Sequence, residues 1–417
     1  MRTVTQIPSP RQENQQFRLL YAVGMIIIVS THCGGGGLNL FYDWFPDSAF
    51  QLGLFTFASG YFYRSVAESH PLRYIGRKVL HLLVPLLLWN LAYAFFIMFL
   101  KTKGFSIGSE LSLYTFFVSP WNDGHQFKFT MAGWYIAPLF MIQAFHVLFR
   151  KCAGRMGVGP WGTSVFYLLL GMGGVTLASW GVNTGFWLTL VRFLYLLPFY
   201  GFGMLYKEKL ERHDRLPGAI YFAILFAVQL TVVTFYGHTI GYSPSWCNNF
   251  NNGPVTPYLV GILGIAFWLR VCRILAPAAS KSRLLSAIGK NTFTIMLNHF
   301  LGFFLVNSVF ALLHRELGMC QDFDFAKYQS DIWFLYLPGG LKQWRIVYLA
   351  AGIGVSLGLA YLLKGIKCLV QQILPGKTQV RSQTAIDNAV SKQTAGNSFS
   401  TEKKPAADSS ETERIKK

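Results

Sequence analysis

Ten apolar stretches divide this chain, at about 18–34, 49–66, 80–100, 131–149, 161–181, 184–206, 218–240, 255–276, 291–313 and 344–368. Each is long enough to carry a helix across about 30 Å of hydrocarbon. The expected fold is therefore all-α, a polytopic transmembrane helix bundle of about ten spans. Composition agrees: 52% of the 417 residues are hydrophobic, 16% are aromatic and only 13% are charged. A soluble domain with a charged surface does not show that balance.

The net charge of +19 raises the question of a nucleic-acid partner, and its distribution answers it. Ten spans put both termini on one side. The connections and termini of that side hold 29 of the 37 lysines and arginines, the opposite connections hold seven, and Arg192 falls inside a span. Such a bias places the basic side, with both termini, in the cytoplasm. Anionic lipid headgroups are a sufficient partner for this charge, and no motif with interleaved aromatics suggests nucleic acid. The expected location is the cell membrane, as a multi-pass protein.

Three segments are expected: a polar cytoplasmic lead at 1–17, a membrane domain at 18–370, and a basic, disordered cytoplasmic tail at 371–417 that is poor in aromatics and has no helical stripe to bury. The amino terminus has no short apolar core followed by a small-residue cleavage site, so the first span reads as an uncleaved anchor. Six cysteines follow no metal-ligand spacing, and no cluster of acidic or histidine ligands suggests a metal. Cys247 and Cys320 both fall in outer connections, where they either pair or remain free thiols.

Ionisable groups inside spans are costly and therefore informative. His32, in "IIIVSTHCGGGG", sits roughly 20 Å from the cytoplasmic start of its span, and His299, in "KNTFTIMLNHF", about 12 Å in. The two imidazoles are thus expected to flank one mid-membrane cavity. Each either moves protons in acyl transfer or hydrogen-bonds a neighbouring helix. His146 reads as structural. Arg192, about 12 Å from the outer face, either binds a phosphate or carbonyl oxygen or snorkels.

The strongest local signal runs from "LFTFASGYFYR" to "YIGRKVLHLLVPLLLWN". Ser59 and Gly60 permit close backbone approach, and Arg64 caps the span. Arg77, Lys78 and His81 then cluster within about one turn, with Arg77 and His81 on one face. Such a collar suits the phosphates of a nucleotide-like donor, or serves as ordinary positive-inside anchoring.

The order of these features, together with "GWYIAPLF", "LPFYGFGMLY" and "IGKNTFTIMLNHF", resembles the acyltransferase-3 family of integral-membrane O-acyltransferases, in particular the stand-alone type related to fucose acetylases. The similarity runs from about Arg18 to the tenth span. It implies an enzyme that takes an acyl group, usually acetyl from cytoplasmic acetyl-CoA as cosubstrate, and places it on a hydroxyl of a surface glycan. The resemblance assigns catalysis to His32 and His299, and the donor to Arg18, Tyr21, Arg64, Arg77, Lys78 and His81. Ser59, Trp134, Arg192 and Asn298 are the candidates for holding substrate or an oxyanion. The chain departs from the family at Tyr21 and His81, where arginine is usual. The implied partners are an acyl-CoA, a polysaccharide or lipid-linked sugar, membrane lipids and polysaccharide-assembly proteins, with no bound cofactor. The other functional class compatible with ten spans and buried charges is a transporter or export-complex subunit for a glycan.

Overall fold

The computed structural model describes residues 14–34 and 44–373. Most of the polar lead, the glycines at 35–37 and the tail from 374 onward lie outside the described residues. One unit extends to Ala360. A second begins at Tyr361, and its described part is helical, with the Lys364 ammonium 5.3 Å from the Tyr361 ring centroid.

Eleven helices organise the description, and the described residues contain no strand. They are α1 (Gln15–His32), α2 (Asp47–Tyr61), α3 (Pro71–Lys101), α4 (Lys128–Arg155), α5 (Pro160–Ser179), α6 (Gly185–His213), α7 (Gly218–Tyr236), α8 (Thr256–Ala279), α9 (Arg283–Lys290), α10 (Thr292–Leu317) and α11 (Arg345–Ile373). Eight of them, α3 to α8 with α10 and α11, are long and apolar enough to cross a membrane.

The other two expected spans are α1 and α2, which differ from the rest. The stretch expected at about 49–66 is helical only to Tyr61, and its 15 residues reach about 22 Å. Beyond it the chain turns into a polar 3₁₀ segment at Ser65–Ser69. Both helices are surrounded by protein: α1 packs on α2, α8, α9 and α10, and α2 on α1, α6 and α8. A helix enclosed in this way tolerates polar positions that a lipid-facing one does not.

The α1 helix starts on the side chain of Asn14, whose Oδ1 accepts the Phe17 amide at 3.2 Å. It stops directly after His32, where Gly34 takes a φ of 78° that other residues rarely adopt. The pair α1 and α2 is antiparallel. Phe17 stacks on Tyr61 at 3.9 Å between centroids, and Tyr21 meets Phe55 at 5.7 Å.

Crossing of α2 and α6 depends on two reciprocal glycines. A Cβ on Gly60 would overlap the Tyr200 carbonyl, and one on Gly203 would overlap the Phe57 carbonyl. The backbones touch there, which holds α2 against the best-buried helix of the bundle. One irregularity matters for the site. Residues Val79–Leu83 of α3 form a π-turn, which inserts an extra residue into the helix between its basic start and its buried second half.

Gly203→Leu is expected to destabilise the bundle by about 1–3 kcal/mol or more, because backbone atoms cannot give way as a flexible side chain can. Gly173→Ala, where nothing lies within 4 Å, is the control and does not lower stability. Thermal unfolding of the detergent-solubilised protein checks this, and equal midpoints for the two variants would contradict the tight crossing.

Candidate active site

A cavity of 390 Å³ lies among α1, α2, α4, α10 and the loop between α7 and α8. His32, the last residue of α1, lines it. His299 does not: it is fully buried behind His32, so the two imidazoles do not flank the cavity as expected but stand one behind the other. The rings are nearly parallel, with centroids 4.9 Å apart and planes 5° apart. His32 Nδ1 lies 2.8 Å from His299 Nε2.

The hydrogen bonds determine where the protons sit. Ile295 offers His299 only a carbonyl oxygen, at 3.0 Å from Nδ1, so Nδ1 of His299 carries a proton and donates it. Neutral His299 then presents a lone pair at Nε2, since two N–H groups cannot face each other at 2.8 Å. His32 Nδ1 must donate to it. What remains is Nε2 of His32, an acceptor with no hydrogen-bond partner among the described residues. Packing holds both rings in this orientation. Phe300 is 5.2 Å from the His32 ring and 4.5 Å from that of His299, and Trp333 meets His32 edge-on at 5.5 Å. Gly352 of α11 leaves the space beside the His299 Cβ that a side chain would fill.

A second cavity, of 560 Å³, adjoins the first, and the two share Tyr21 and Ser59 in their linings. Among the described residues four cations line it, Arg64, Arg73, Arg77 and Lys78, and no carboxylate does. The Lys78 ammonium sits 5.1 Å over the Tyr74 ring one turn earlier. Glu68, which follows Ala67 of the lining, is held by Arg150 at 3.7 Å and accepts from the Tyr63 hydroxyl at 3.4 Å. Such a groove attracts a polyanion.

The structure therefore brings Tyr21, Arg64, Arg77 and Lys78 together and separates two other residues from them. His81 is exposed and turned back on its own helix, where Nδ1 donates to the Arg77 carbonyl at 2.6 Å. Arg18 lies at the α1–α9 contact, where Nη1 donates to Ser286 Oγ at 3.2 Å. Arg73 and His70, which also line the groove, carry no motif and were not singled out in the sequence.

Among the residues considered for substrate, Ser59 and Trp134 line the 390 Å³ cavity, while Asn298 and Arg192 do not. Asn298 Oδ1 accepts the Tyr93 hydroxyl at 2.6 Å, tying α10 to α3. Arg192 is a buried clamp. Its Nη1 donates to the Asp123 carbonyl at 2.9 Å, its Nε and Nη2 donate to the Ser245 carbonyl, and its guanidinium lies 4.4 Å over the Trp134 ring. It neither snorkels nor reaches the cavity. Burial, with Arg192 nearby, pushes the neighbouring loop residue His125 down to about 4, so that imidazole stays neutral. His146 accepts or donates a hydrogen bond with Tyr167 at 3.0 Å, in keeping with packing.

Cys247 and Cys320 are both free thiols, and burial pushes Cys247 up to about 12. No group of three or more His, Cys, Asp or Glu among the described residues is placed to hold a metal ion. Trp333, the Ile295 carbonyl and the loop Tyr242–Ser245 also build the site, and none carries a motif that marks it in the sequence.

Arg192→Met leaves the two loop carbonyls unpaired, a loss on the order of 2–4 kcal/mol. The expected result is a lowered thermal midpoint, with Trp134 fluorescence altered through the lost guanidinium contact. An unchanged midpoint would mean that the loops do not depend on the clamp.

Residues 14–365 match the acyltransferase domain of the acyltransferase-3 family. Comparison with curated proteins and with solved structures finds no significant match. With nearly the whole membrane part matched and the helices those of an integral-membrane protein, the chain belongs to the acyltransferase-3 family and is a membrane acyltransferase.

Proposed function

We propose that this acyltransferase moves an acetyl group from cytoplasmic acetyl-CoA to a hydroxyl of a cell-surface or exported polysaccharide, or of a lipid-linked sugar. The observation that carries this reading is the lone pair of His32 Nε2 in a chamber that adjoins a groove with four cations at Tyr21 and Ser59. The protein lies in the cell membrane with both termini in the cytoplasm, the orientation that the lysine and arginine bias favours.

In this reading the groove holds the phosphates of the donor through Arg64, Arg73, Arg77 and Lys78, and its thioester end passes Tyr21 and Ser59 toward His32. The acceptor hydroxyl oxygen attacks the thioester carbonyl while His32 Nε2 takes its proton. The C–S bond breaks, and His32 returns that proton to the departing thiolate. Ester and thiol are formed, and the histidine ends as it began. General-base help of this kind contributes about 10²–10⁴ in rate. His299 is a positioning residue. It keeps His32 in the tautomer with Nε2 free, and its lone pair continues to accept from Nδ1 when His32 becomes cationic.

His32→Ala is expected to lower acetyl transfer by about 10²–10⁴ without loss of membrane-inserted protein. His299→Gln can still donate to Ile295 and accept from His32, so it retains activity within roughly tenfold of wild type, whereas His299→Leu loses about a hundredfold or more through the wrong tautomer. Steady-state transfer of radiolabelled acetyl checks both. Equal activity of the Gln and Leu variants would remove the relay, and an active His32→Ala enzyme would remove the base.

Replacing Arg77 and Lys78 together by Gln removes two charge-assisted contacts. The apparent KM for acetyl-CoA should rise about tenfold or more while that for the acceptor stays constant. A parallel rise in both constants, or simple loss of protein from the membrane, would speak for anchoring instead.

A further inference from the structure

We infer that an apolar furrow of 630 Å³ between α6 and α8 holds one acyl chain of an anionic phospholipid, whose phosphate sits on Arg273. None of its lining residues lines either cavity of the acyl-transfer site, so this is a separate binding site that does not rest on the reading above.

The furrow follows from the packing of α2. That helix packs on both α6 and α8 and stands between them. Its residues Phe55 and Ser59, one turn apart, face the reaction cavity, and Phe57, which helical pitch places on the opposite side, lines the furrow. The next helix, α7, packs on α8 and is largely uncovered by protein, so it does not close the gap.

Shape and polarity both fit a hydrocarbon chain. Along α8 the lining recurs at Val255, Leu259, Ile262, Ala266 and Leu269, the spacing of one helix face, over about 21 Å. One leaflet holds roughly 15 Å of hydrocarbon, so a single chain laid along this face fills it. The tyrosine hydroxyls of the lining are turned to protein. Tyr221 donates to the Ala266 carbonyl at 3.1 Å, Tyr206 donates to Asp214 Oδ2 at 2.8 Å, and the hydroxyl of Tyr258 is buried. A polar ligand finds little to bond there, and water is a poor filler for a space of this composition.

The headgroup end is equally specific. Continuing the same face of α8 by one turn beyond Leu269 reaches Arg273, whose guanidinium is half exposed. Its Nη1 donates to the Asp214 carbonyl at 2.8 Å and to Oδ2 at 3.1 Å, while Nε and Nη2 have no partner among the described residues. Those two nitrogens are the adjacent pair with which an arginine grips a phosphate. Asp214 is also bound by Arg270, so two guanidiniums stand over one carboxylate and leave a positive charge at the mouth. Arg212 and Arg215, both exposed, flank Asp214 in the chain and add to it. A headgroup with a net negative charge complements this end better than a zwitterionic one.

Native mass spectrometry of the full chain in detergent tests the site, with phosphatidylglycerol and phosphatidylcholine of the same acyl composition as probes. The wild type is expected to bind phosphatidylglycerol about fivefold or more tightly than phosphatidylcholine. Ala266→Phe, which fills the furrow, is expected to weaken both lipids by a similar factor, and Arg273→Gln to abolish the preference between them. Arg273→Lys keeps a charge beside Asp214 but lacks the two-pronged grip. It is expected to lose part of the preference and serves where the Gln variant folds poorly. Equal affinity of the wild type for the two lipids, unaltered binding in Ala266→Phe, or an undiminished preference in the Arg273 variants would overturn the site. Displacement of phosphatidylglycerol by an equimolar polyprenyl phosphate would assign the furrow to a different lipid and overturn the phospholipid as its occupant.

Discussion

The hydrogen bond from His32 Nδ1 to His299 Nε2 is the contact on which the rest of the site depends. It joins the end of α1 to the middle of α10, and it does so with two groups that hydrocarbon would reject singly. Each imidazole solves the other's burial, and the Ile295 carbonyl ends the chain of donors and acceptors. One consequence is directional: with a proton fixed at each Nδ1, only one ring nitrogen of the four is left to face the cavity as an acceptor. The bundle accordingly surrounds α1 with protein on four sides, using α2, α8, α9 and α10, where a helix with a polar terminus would otherwise be exposed.

The loops follow the same rule with a different residue. Two backbone carbonyls, of Asp123 and Ser245, come from connections far apart in the chain, and a single guanidinium gathers both under Trp134. The cavity wall is thus held by a cation that never touches the cavity. Burying Arg192 is tolerable because each of its three nitrogens donates to a carbonyl oxygen and its plane lies on an aromatic face.

How much of this was legible in the sequence varies with the kind of information required. Helix positions were readable, since each apolar run of sufficient length has few alternatives. Their ends were less so. The α3 helix begins at Pro71 rather than near 80 because Arg73, Arg77 and Lys78 are helical despite their polarity, and α2 ends early at Tyr61. His32 and His299 were conspicuous as costly placements, but their contact is a pairing of residues 267 apart and leaves no local trace. Arg192 was equally conspicuous, and its partners were invisible because a backbone carbonyl has no residue type. The same limit hid Ile295. Trp333 and the loop Tyr242–Ser245 sit in connections whose course depends on the packed helices beneath them.

The π-turn at Val79–Leu83 carries a consequence for the phase of α3. Side chains advance by about 100° per residue along an α-helix. At that pitch the face bearing Arg73, Tyr74, Arg77 and Lys78 would lie nearly opposite the stripe of Leu86, Asn90, Tyr93 and Ile97 that the bundle buries. The wider turn takes up most of one residue's rotation and swings the two faces into neighbouring quadrants, so that one continuous helix can seal the bundle with its second half and present cations to the groove with its first. A chain of the same length that kept regular α-helical pitch through this turn would be as apolar and as helical, and its positive charge would be aimed away from the groove.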